Sequence, residues 1–165
     1  METVVAGGGI IRATMVMLQR HWQLIAAYGV GLIFWLAFYL WQQTSIHWGV
    51  SLSILQTLLI LALLYPILEE LVFRGLVQSW LLEKTWGHTS WLGLSLANVF
   101  TSLLFMGLHF FQHAPLWAVA VFLPSLIFGY LRELYAEATY PLLPSISLHC
   151  FYNAGWFYLF GLRQI

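Results

Sequence analysis

The chain has 165 residues, of which 61% are hydrophobic, 18% aromatic and only 7% charged, and its net charge is zero. Soluble domains are about a quarter charged, so this composition excludes an ordinary water-soluble domain, and the neutral balance gives nucleic acid no electrostatic foothold. A single cysteine, Cys150, excludes an internal disulfide.

What remains is an all-α, polytopic membrane helix bundle. Nine Trp and eight Tyr, several near the ends of apolar runs, fit the aromatic belts of a protein seated in the lipid bilayer. In chain order, Gly7-Gly8-Gly9 gives a flexible start, and residues 10–20 mix apolar and basic side chains as a short interfacial helix does. Residues 1–21 therefore read as an N-terminal flexible and interfacial segment, and 22–165 as a single transmembrane domain without repeats. Residues 22–41 are apolar and long enough to cross about 30 Å of hydrocarbon. With no small-residue cleavage pattern before its flank, this run is expected to be a retained first span rather than a cleaved signal.

A polar connection follows at 42–48. Residues 50–83 are too long for one simple crossing, and Pro66 inside them removes a backbone donor, predicting a bent helix. A loop is expected at 84–90, a third span at 91–111 closed by His113, Ala114 and Pro115, and a fourth at 116–131. A partly charged turn then holds Arg132, Glu133 and Glu137, and Pro141 and Pro144 introduce a last span ending near Phe160. That makes about five transmembrane helices. Basic residues are best accommodated with the N-terminus in the cytoplasm, which puts Arg12, Arg20, Lys84 and Arg132 inside and Arg163 outside.

Charge is concentrated where it costs most. Glu69, Glu70 and Arg74 stand within an apolar helix, where each charged group costs at least about 2.5–3.5 kcal/mol by insertion scales. Glu70 and Arg74 are i, i+4 neighbours and can pair. Glu69 lies about 100° round the helix from Glu70, so it is the carboxylate less well served and the one available as a base.

Three more polar side chains interrupt later helices: His109, and the i, i+4 pair His149 and Asn153, which share a helix face. Glu or His can take a proton from water, and His or Asn can donate to a developing oxyanion. That is an inventory for hydrolysing a peptide bond without a Ser or Cys nucleophile. The same set offers a His₂Glu zinc site of Glu69, His109 and His149, although the signature His-Glu-x-x-His is absent. The residues alone leave metal-activated and carboxylate-activated water both open. His113, one turn from His109, is a weaker candidate because Pro115 puts it near the helix end. His21, His47 and His88 flank spans and read as interfacial. Cys150 points about 100° away from His149 and reads as a small buried side chain rather than a nucleophile.

Other readings use fewer of these residues. His109 and His149 as axial ligands of a haem leave both glutamates and Asn153 without a task. A non-catalytic immunity or chaperone-like membrane factor, or a transporter subunit with Glu69 and Glu70 as a proton relay, needs no Asn153.

Glu69-Glu70-x-x-x-Arg74, Phe105-x-x-x-His109 and His149-x-x-x-Asn153, in that order on three apolar helices, resemble the CPBP (Abi) family of intramembrane endopeptidases. These are relatives of the type II CAAX prenyl protease. The approach from Phe128-Gly129-Tyr130 through Pro141 to Leu148-His149 is similar too, and the likeness spans about residues 50–160. It implies that Glu69, assisted by His109, activates water, that His149 and Asn153 stabilise the oxyanion, and that Glu70 and Arg74 position the base. Phe105 belongs to the second motif. The family has been described as both metallo-type and glutamic-type. Asn153, a poor zinc ligand and a good oxyanion donor, favours the glutamic type, with no cofactor and zinc as the alternative. The chain is small for a wide prenyl cavity, so a compact bacterial member is expected, in the cytoplasmic membrane. Its partner would be a membrane-associated protein or peptide, through trimming of a C-terminal sorting tail (as in myxosortase-like members), peptide processing or bacteriocin self-immunity.

Overall fold

The computed structural model describes residues 3–42 and 51–160, with side chains over 17–41 and 51–160. The polar connection expected at 42–48, with His47 in it, lies outside the described residues apart from the backbone of Gln42; so does Arg163.

Five helical segments follow one another: α1 (Thr3–Gln42), α2 (Leu52–Leu82), α3 (Leu96–His109), α4 (Pro115–Leu134, with a turn at Val121) and α5 (Leu143–Leu159). Three stretches are long and apolar enough to cross a membrane: Met17–Trp41, Leu52–Leu82 and Pro115–Leu134. Leu96–His109 is apolar but shorter, and α5 has 17 residues. The bundle is all-α, as expected, but fewer than five of its helices are full-length crossings.

Its surface and interior are reversed relative to a soluble protein. Large apolar side chains such as Leu36, Leu76, Leu103 and Leu123 face outward, whereas Glu70, Arg74, Gln78, Asn98, Ser125 and His149 are buried. That arrangement suits a hydrocarbon solvent, which satisfies no polar group.

Three sequence expectations are corrected. Gly7-Gly8-Gly9 lies within α1, and no break separates residues 10–20 from the span that follows. The third helix starts at Leu96, five residues later than expected, because Ser95 caps it by accepting from the Asn98 backbone N–H at 2.9 Å. The residues before it form a two-stranded hairpin, β1 (Ser90–Trp91) and β2 (Leu94–Ser95). Its turn holds Leu92 and Gly93 at φ of 53° and 80°. Finally, Arg132 and Glu133 belong to the last turn of α4 rather than to a charged loop.

Where a bend is expected in α2, the helix runs on from Leu52 to Leu82 but departs from α geometry. Around Pro66 the helix widens into π-helical turns, Leu59–Leu64 before it and Leu71–Gln78 after it. A proline ring collides with the carbonyl four residues back, and a wider turn relieves the clash.

α5 packs on α1, α2 and α4, whereas α3 packs on α2 and α4. The α1–α5 contact interlocks small with large: a Cβ on Gly31 would strike the Tyr152 ring, and one on Gly155 would strike Trp35. Small residues at such seams let membrane helices approach closely. Tyr152 Oη donates to the Ala27 carbonyl at 2.7 Å, and Tyr28 Oη to Ser147 Oγ at 2.9 Å. Ala27, Phe128, Leu131, Tyr135 and Leu148 form the apolar core beneath the site.

Candidate active site

On α2, Glu70, Phe73, Arg74 and Gln78 face into the bundle, where all are buried. Arg74 Nη1 lies 3.3 Å from Glu70 Oε1, the i, i+4 pair expected from the sequence. Arg74 Nη2 also donates to the Ser125 carbonyl at 2.9 Å and to Ser125 Oγ at 2.6 Å. The guanidinium sits over two aromatic rings, 5.0 Å from the Phe105 centroid and 5.5 Å from that of Phe128. Charge, hydrogen bonds and ring quadrupoles replace part of the water this cation has lost, while Nε and Nη1 make no hydrogen bond.

Gln78 continues the same stripe. Its Nε2 donates to the Gly129 carbonyl at 3.0 Å and to Glu133 Oε1 at 2.6 Å, and Ser95 Oγ donates to that same carboxylate oxygen at 2.6 Å. Arg74 and Gln78, four apart on α2, thus face Ser125, Gly129 and Glu133, four apart on α4. Ser125, Gln78 and Glu133 were not singled out in the sequence. Gln78 had a legible signal, being one turn beyond Arg74 in an apolar run; Ser125 had none.

His149 arrives from α5 between the two glutamates. Its Nδ1 lies 3.0 Å from Glu70 Oε1 and its Nε2 3.5 Å from Glu69 Oε2. A carboxylate accepts, so Nδ1 carries the proton given to Glu70, and the tautomer is set by that bond. Phe128 stacks on the imidazole, with centroids 4.5 Å apart. Glu70 is fully buried and shared between Arg74 and His149, whereas the Glu69 side chain is 32% exposed. Of the two glutamates, Glu69 is the more open.

His109 stands apart. Its Nδ1 donates to its own helix at the Phe105 carbonyl, 2.8 Å away, which leaves Nε2 free to accept. The Phe105 ring lies against both imidazoles, with centroids 4.4 Å from His109 and 6.0 Å from His149. The physical reason is the packing order: α3 and α5 both lean on α2 and α4. His113 stacks on His109 with centroids 5.5 Å apart and is exposed. Asn153 points to the bend in α2, where its Nδ2 donates to the Leu61 carbonyl at 3.1 Å.

Among the described residues, no three His, Cys, Asp or Glu side chains are grouped to hold a metal ion. The zinc set Glu69, His109 and His149 is therefore not gathered in this arrangement, and His149 already has a carboxylate facing each ring nitrogen. Cys150, expected to be buried, is only partly so and lines an open apolar groove of about 340 Å³ with Leu55, Leu59, Ala62 and Leu63 among others.

A carboxylate pair backed by a buried arginine, with an imidazole from a later helix between them, sits within the three-motif pattern read from the sequence. Comparison with curated proteins and with solved structures returns no match. Comparison with family models returns one, the type II CAAX prenyl endopeptidase Rce1-like model, over residues 51–155, which include both glutamates, both histidines and Asn153. With more than half of its length matched, and with its buried polar site in a membrane-spanning bundle, the chain belongs to the Rce1-like family of type II CAAX prenyl endopeptidases.

Proposed function

We propose that this protein is an intramembrane endopeptidase of the glutamic type, in which Glu69 activates the attacking water. The observation that carries the reading is the placement of His149 between Glu69 and Glu70, at 3.5 and 3.0 Å, within an otherwise apolar bundle. Glu70 is committed to Arg74 and His149, so the base is the half-open Glu69.

The steps follow from these positions. Water gives a proton to Glu69 as its oxygen bonds to the scissile carbonyl carbon. His149, through Nε2, and Asn153, through its amide, donate to the oxyanion that forms. Nε2 can donate while Nδ1 holds Glu70 only when the ring carries both protons. In that state the formal charges of Glu69, Glu70, Arg74 and His149 sum to zero. When the tetrahedral intermediate collapses, the C–N bond breaks and the leaving amine takes the proton from Glu69. His109, with Nε2 free, assists by accepting from the incoming water, which requires its ring to swing past Phe105.

The substrate we assign is a membrane-associated protein or peptide, such as a C-terminal sorting tail. The site we assign it to is the bacterial cytoplasmic membrane, with the N-terminus inside.

The test is incubation of the purified protein with candidate membrane substrates, with and without chelator, and mass spectrometry of the products. Wild-type protein is expected to yield defined fragments with chelator present. Glu69→Ala and His149→Ala are expected to accumulate normally and yield none. Cleavage retained by Glu69→Ala would remove this carboxylate as the base, and cleavage lost to chelator would restore the metal-dependent alternative.

A further inference from the structure

We propose that Pro66 is a positioning residue for Asn153, acting through the carbonyl of Leu61. The proposal rests on the protease reading for its catalytic consequence, but its structural part stands alone.

In a regular helix the Leu61 carbonyl would accept from the N–H of residue 65, and in a π-helical turn from that of residue 66. Both donors are missing here. The Tyr65 N–H is spent on the Ile60 carbonyl, and residue 66 is proline, which has no N–H. Pro66 is buried, so its ring is fixed in the bend rather than exposed on its surface. Leu61 is thus left with an acceptor that the helix cannot satisfy, in a segment surrounded by apolar side chains, where an unpaired carbonyl is costly.

Asn153 supplies the missing bond, its Nδ2 lying 3.1 Å from Leu61 O across 92 residues of sequence. A side-chain amide nitrogen carries two N–H groups. One is held by Leu61, and the other remains for the reacting oxyanion. The anchor also decides which end of the amide is the nitrogen, because the amide oxygen would repel the Leu61 carbonyl. Pro66 therefore prepares an oxyanion donor from one turn ahead of Glu69 and Glu70, without touching substrate. Leu63 carries a weaker version of the same cross-link, its carbonyl facing Cys150 Sγ at 3.9 Å.

Pro66→Ala gives residue 66 an N–H with which to serve Leu61, and so competes with Asn153. For a peptide spanning the cleavage site, kcat is expected to fall about tenfold with KM nearly unchanged, short of the roughly 10²–10³ loss from removing the donor by Asn153→Ala. The double variant is expected to be no slower than Asn153→Ala alone. Thermal melting of the full chain in detergent provides an arm that needs no substrate. Asn153→Ala is expected to lower the midpoint in the wild-type background and far less in the Pro66→Ala background. Asn153→Asp, which keeps the shape and loses the donor, is expected to melt below Asn153→Ala, and it covers the case in which Pro66→Ala does not fold. Equal midpoint losses in both backgrounds, kcat losses that multiply, or wild-type melting of Asn153→Asp would each overturn the link. If the wild-type protein cleaves nothing, the protease reading fails and takes the kcat arm with it, while the melting arm still decides whether Pro66 and Asn153 are coupled.

Discussion

Arg74 is fully buried and held from several sides at once. It meets Glu70 and Ser125 and lies over Phe105 and Phe128. A lysine keeps the charge but is a point donor on a flexible stem, and it cannot reach Glu70 and the two Ser125 oxygens from between two rings. Arg74→Lys is expected to cost about 1–3 kcal/mol, the range for buried acceptors left without partners. Thermal denaturation in detergent measures it. An unchanged midpoint would mean that charge alone, not the fork, holds Glu70. The Glu70–Arg74 pair was legible in their i, i+4 spacing. A second partner for Glu70 was not, because His149 is 79 residues away and no local rule connects them.

At the scale of elements, Gly129 of α4 faces polar side chains of both α3 and α2 at close range. A Cβ there would run into the Asn98 amide and close on Gln78, the group that donates to the Gly129 carbonyl. Gly129→Ala is therefore expected to destabilise the protein by about 1–3 kcal/mol, as overpacking does. Gly107, in α3, has open space where its Cβ would be. Gly107→Ala should fall within about 0.5 kcal/mol of wild type, or gain slightly from helix propensity. Comparing the two midpoints tests the packing, since the same substitution is made in neighbouring helices. Equal effects would place the tight seam elsewhere.

For the whole molecule, the question is orientation. Arg20 reaches Glu137 at 3.5 Å, and Arg132 reaches Ser79 at 3.2 Å near the end of α2, so the described basic residues at the helix ends gather at one end of the bundle. The orientation proposed above places that end in the cytoplasm, in keeping with the positive-inside rule. His88, exposed between α2 and β1, offers a direct check. With Cys150→Ala removing the native thiol, His88→Cys is expected to resist a membrane-impermeant maleimide in intact cells and to react once they are opened. Labelling in intact cells would invert the topology.

The sequence alone determined that the protein lives in lipid, that it is all-α, and that a few polar side chains stand inside its apolar helices. Each of these follows from composition or from spacing within one helix, where charge in hydrocarbon stands out against apolar neighbours. A departure from regular helix around Pro66 was legible for the same reason, since a missing donor is a property of one residue. Only tertiary structure decided how helices share these groups: that His149 enters between Glu69 and Glu70, that Phe105 sits between His109 and His149, and that Ser125 and Glu133 complete the buried polar stripe. Such contacts depend on depth, tilt and the order in which helices pack, and those are set by side chains dozens of residues apart. The late start of α3 belongs to the same class, because the Ser95 cap and its bond to Glu133 join segments 38 residues apart.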